Sequence, residues 1–71
     1  MASIEFIQKR IDGKEIELIK LEKKLGRIRK AEAGGWEANN PYYYNEYDLR
    51  NCLKDIENAQ KMLADYKAKL E

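Results

Sequence analysis

Seventy-one residues allow one small domain, and chains this short bury only about 60% of their unfolded surface, so a single core needs a supplement. One cysteine and no histidine exclude an internal disulfide and the usual zinc site of mixed nitrogen and sulfur ligands, which leaves self-association as the supplement. The net charge of +1 conceals opposite halves: residues 1–31 carry nine Lys/Arg against five Asp/Glu, and residues 32–71 carry five against eight.

Such halves favour folding back on each other, or pairing between chains, over a strong polyanion ligand. The first residues, MASIEFIQKR, carry charge where a signal peptide needs an apolar run. No segment approaches the roughly 18 apolar residues of a membrane span. A cytoplasmic protein with a free thiol is therefore the expectation, with no membrane partner.

From Ile4 onward the apolar residues recur every three or four positions: Ile4, Ile7, Ile11, Leu18, Leu21, Leu25 and Ile28. In heptad terms they fill a and d, and only Lys14 interrupts the stripe. The spacing predicts a helix over about residues 3–32, capped by Ser3 and closed by Gly34 in the left-handed position. Gly13 and Gly26 lie inside it as defects or close-packing sites. Lys14 either fixes the register or extends outward past the seam on its apolar stem.

Residues 33–45 break the pattern. They hold Trp36, the only proline (Pro41), and Tyr42, Tyr43 and Tyr44, in the order GGWEANNPYYYNE up to Glu46. Gly34-Gly35 and Asn40-Pro41 are turn signals. The bland reading folds these aromatics over the open end of the seam. The sharper one makes Trp36, Tyr42, Tyr43, Tyr44 and Arg50 a protein-docking tip, since Trp, Tyr and Arg dominate interface energetics.

The second helix is predicted over about residues 46–70, with Asn45 as N-cap and Glu46 and Asp48 in the first turn. Its stripe runs Leu49, Cys52, Ile56, Ala59, Leu63, Tyr66 and Leu70 without a fault. Glu46–Arg50, Glu57–Lys61 and Asp65–Lys69 are spaced as ion pairs. Folding the chain at the loop, so that paired residue numbers sum to 77, sets Ile28 against Leu49, Leu25 against Cys52, Leu21 against Ile56 and Leu18 against Ala59. Lys14 then meets Leu63, Ile11 meets Tyr66, and Ile7 meets Leu70. The expected fold is all-α: an antiparallel coiled-coil hairpin over residues 1–71.

One seam stabilises too little to offset the ordering of the whole chain. Apolar residues also lie off it, at Phe6, Ile16, Ile19, Leu53 and Met62. A second face covered by a second hairpin would complete a homodimeric four-helix bundle. The expected function is thus an oligomerisation or docking module, its partner being itself or another protein. The alternative is a nucleic-acid accessory module in which Lys23, Lys24, Arg27, Arg29 and Lys30 form a basic collar beside the aromatic loop. Catalysis, a cofactor and a metal are not expected. Histidine is missing, GGWEA lacks the spacing and the lysine of a phosphate loop, and Cys52 occupies a seam position.

The run WEANNPYYYNEYDLRNCLKDIENAQK, together with IEFIQKRIDGKEIELIKLEKKLGRIRKAEA, resembles the N-terminal helical hairpin of uncharacterised proteins encoded by bacteriophages and mobile elements. The likeness covers nearly the whole chain, and NPYYYNEYDLR is its most distinctive part. It implies a hairpin that leads a longer chain, and it assigns no activity to any residue. The close of the sequence, DYKAKLE, stops in mid-pattern without a helix terminator, which fits a fragment of something longer.

Overall fold

In the computed structural model, which describes residues 3–36 and 44–70, the chain forms two α-helices: α1 spans Ile4–Ala33 and α2 spans Glu46–Leu70. At 1.5 Å per residue they measure about 45 and 38 Å, so the overall extents of 51 × 16 × 14 Å require them to lie side by side. The result is the expected helical hairpin, built from helix-on-helix contacts alone among the described residues.

Each start is held by the side chain that the sequence offers. The Ser3 hydroxyl accepts from the Phe6 N–H at 3.1 Å. The Asn45 side-chain oxygen accepts from Tyr47 and Asp48 N–H at 2.9 and 3.2 Å, while the Asp48 carboxylate accepts from the Asn45 N–H at 2.8 Å. This is a reciprocal capping box, with aspartate in the place glutamate more often takes.

The end of α1 differs by one residue from the sequence expectation. Gly34 keeps an ordinary backbone, with φ −85°, and Gly35 takes the left-handed position, with φ +75°. The Gly35 N–H donates to the Glu32 carbonyl at 3.0 Å and the Trp36 N–H to the Ala31 carbonyl at 2.9 Å. That pair of bonds is a Schellman motif, and it closes α1 beside the buried Ala31. Trp36 itself has φ +63°, an arrangement an L-residue adopts only against a steric cost.

The seam is real but thin. Ile28 and Cys52 are fully buried, at 0% and 1% exposure, and Ile7, Ile11, Ala31 and Ala59 complete the core. Leu18, Leu21, Leu25, Leu49, Ile56, Leu63 and Tyr66 are only half-buried, because a single neighbouring helix covers one side of each. Leu70, placed on the seam by spacing, remains 37% exposed: it sits in the last turn of α2, and α1 covers only its inner side. Ile4, the first residue of α1, is 74% exposed. The Cys52 thiol donates to the Leu21 carbonyl at 3.5 Å. That carbonyl points along α1 toward the level of the Leu25 amide, so the bond agrees with Leu25 and Cys52 sharing a layer.

Charge reinforces the same register. Residues 20–33 hold six Lys/Arg against two Glu, and the facing residues 46–57 hold two against four Asp/Glu. At the open end residues 4–19 hold three against four, and residues 58–70 three against one. Opposite signs therefore meet at both ends of the hairpin.

Candidate interaction surfaces

The described loop-end residues differ in exposure. Trp36 and Tyr44 are half-buried, Tyr47 and Arg50 are exposed, and Tyr42 and Tyr43 lie outside the described residues. Arg50 does not reach Glu46 as its spacing suggests; its guanidinium lies over the Tyr47 ring, 5.6 Å from the centroid. Lys69 likewise sits 5.6 Å over the Tyr66 ring in place of an Asp65 pair. Of the three expected i, i+4 pairs only Glu57–Lys61 forms, at 3.3 Å. A ring three residues back offers a cation both a π face and a stem contact, which competes well with a carboxylate in open water.

The basic collar comes apart in a similar way. Lys24 is half-buried, and Arg29 pairs with Glu32 at 3.0 Å. Lys23, Arg27 and Lys30 share one outward face, and Lys20, which spacing alone adds to them, extends the row. These four lie within about 80° of helix circumference and span about 15 Å. The row is therefore a ladder along α1, not a ring around the tip.

Two polar features belong to the seam. Lys14 fills its seam position with its stem and carries its ammonium out to Glu17 at 2.8 Å. Burial pushes the Cys52 thiol up, Lys24 pulls it the other way, and Asp55 raises it again. A protonated, buried thiol that donates to a backbone carbonyl is a core group.

The exposed large apolar residues form the remaining surface: Ile4, Phe6, Ile16, Ile19, Tyr47, Leu53, Met62 and Leu70. At 100° per residue, Ile16 lies on the far side of α1 and Ile19 about 60° from it toward one flank, whereas Leu53 and Met62, nine residues apart, point to opposite flanks of α2. Among the described residues no three His, Cys, Asp or Glu side chains are grouped to hold a metal ion, and no helix is long and apolar enough to cross a membrane. No family model, no curated protein and no solved structure matches the chain.

Proposed function

We propose that the chain is a self-association and docking module, in which two hairpins pack side by side as a dimeric four-helix bundle. The observation that supports this most is surface area. The hairpin exposes 5694 Å², whereas a globular monomer of its 8.4 kDa mass exposes about 4,600 Å². The excess, about 1,100 Å², compares with the roughly 800 Å² that each partner contributes to a standard interface. The radius of gyration, 15.6 Å, tells the same story, since a compact chain of this length has about 11 Å. A second hairpin alongside would widen the particle without lengthening it and would cover the half-buried leucines.

Assembly of this kind links stability to concentration. The thermal midpoint of the free chain should rise as concentration increases from low to high micromolar. A midpoint that stays constant over a hundredfold range would remove the proposal.

The outward ladder of Lys20, Lys23, Arg27 and Lys30 supports a second reading, contact with a nucleic-acid backbone. Titration with single- and double-stranded oligonucleotides tests it. Binding that weakens steeply with salt, and that is lost when Lys23 and Lys30 become Glu, supports the reading. No binding at low salt, or binding indifferent to those charges, ends it.

A further inference from the structure

The opposite flanks of the hairpin are chemically unequal, and the difference identifies the one that suits a second copy. Lys24 and Asp55 each stand one residue before a seam residue, Leu25 and Ile56, and in an antiparallel helix pair such positions fall on the same flank, here that beside Cys52. Phe6 and Gly13 precede Lys24 by eighteen and eleven residues, which places all three on nearly the same line of α1. Met62 follows Asp55 by seven and falls on the corresponding line of α2. One flat side of the hairpin thus presents Phe6, its ring 5.0 Å under the Arg10 guanidinium, and Met62 around Gly13, where a Cβ would meet nothing within 4 Å, with Lys20 of the basic ladder further along the same line.

The opposite side presents Ile19 and Leu53 around Gly26, which is equally open. It also carries Glu15 and Glu22 close to Ile19, and Glu57 on the adjoining part of α2. Two copies meeting there, loops at the same end, would set Glu22 of each near Glu57 of the other, like charge against like. Two copies meeting on the first side, loops at the same end, would set Lys24 of each near Asp55 of the other, since those residues lie within two positions of one layer.

We propose that a second copy of this chain docks on the side formed by Phe6, Gly13, Lys24, Asp55 and Met62, with α1 of each copy antiparallel beside α2 of the other and a partner side chain seated over Gly13. This deepens the self-association reading and rests on it. Apolar residues supply the contact, the open glycine admits close approach, and the Lys24–Asp55 complement sets which side is used.

Matched variants test it, because Met62 and Leu53 are equally exposed, at 41%, on opposite flanks, and neither is a residue of the seam stripe. Dimer dissociation is measured by sedimentation for Met62→Glu and Leu53→Glu, with helicity followed by circular dichroism. Met62→Glu should weaken the dimer roughly tenfold or more, as expected for an interface centre, while Leu53→Glu leaves it unchanged. Gly13→Ala and Gly26→Ala form a second pair that cannot fail for lack of folding, since alanine favours helix at both sites. Gly13→Ala should weaken the dimer and Gly26→Ala should not. Equal effects within either pair, or effects confined to Leu53 and Gly26, overturn the choice of side while leaving self-association standing. A wild-type chain that stays monomeric removes the reading on which the choice rests.

Discussion

At the scale of single residues, two polar groups on the seam behave as core components with a measurable signature. The folded Cys52 thiol holds its proton more tightly than an unfolded one, which ionises near pH ~8.5. Its contribution to stability is therefore fully present below that pH and declines as pH rises from there through the raised folded value. Denaturation of wild type and Cys52→Ala, compared at about pH 7.5 and 9.5, should show wild type losing the larger amount at the higher pH. A thiol reagent should react only as fast as the hairpin opens. Lys14 is the complementary case, a charge in an apolar layer whose ammonium escapes to Glu17. Replacing it with Leu should stabilise the fold by about 1 kcal/mol, from apolar area gained against a surface ion pair of little worth. Urea unfolding gives the number, and a loss of stability would mean that Lys14 sets the register.

At the scale of elements, the caps account for where the helices begin and end. Asn45→Ala removes the acceptor for two N–H groups and half of a reciprocal box, so it should cost about 1 kcal/mol and fray the first turn of α2. Gly35→Ala forces an L-residue into φ +75° and should cost about 1–2 kcal/mol. Gly34→Ala, at an ordinary φ, should cost less; the two measured side by side would reveal whether the left-handed residue is Gly35. The starts of both helices were legible because Ser3 and Asn45 stand just before apolar stripes. The end of α1 was less so, since two adjacent glycines suit the same role and only the hydrogen bonds from Gly35 and Trp36 separate them. Ala31 is less legible because the heptad passes from Ile28 to Glu32, one residue beyond it. Arg50 and Lys69 were expected on carboxylates because sequence spacing offers both partners, and it cannot weigh a ring at i−3 against an acid at i−4. The tyrosines at 42 and 43 fall outside the described residues, so their docking role remains an expectation from sequence.

At the scale of the whole molecule, the hairpin itself follows from the alternation of apolar positions and the opposed charges of its ends. One seam covers little, as the sequence implies. Leu18, Leu21, Leu25, Ile56 and Leu63 fall on the correct stripe yet stay half-buried, since burial depends on the number of neighbouring helices and not on periodicity. The off-seam apolar residues, taken together in the sequence as a possible second face, divide in space between two flanks and the back of α1. The most direct measurement is the mass of the chain in solution by sedimentation equilibrium at micromolar concentration. Self-association predicts a particle of twice the 8.4 kDa chain mass that retains full helicity. A folded particle of one chain mass at every concentration would contradict it.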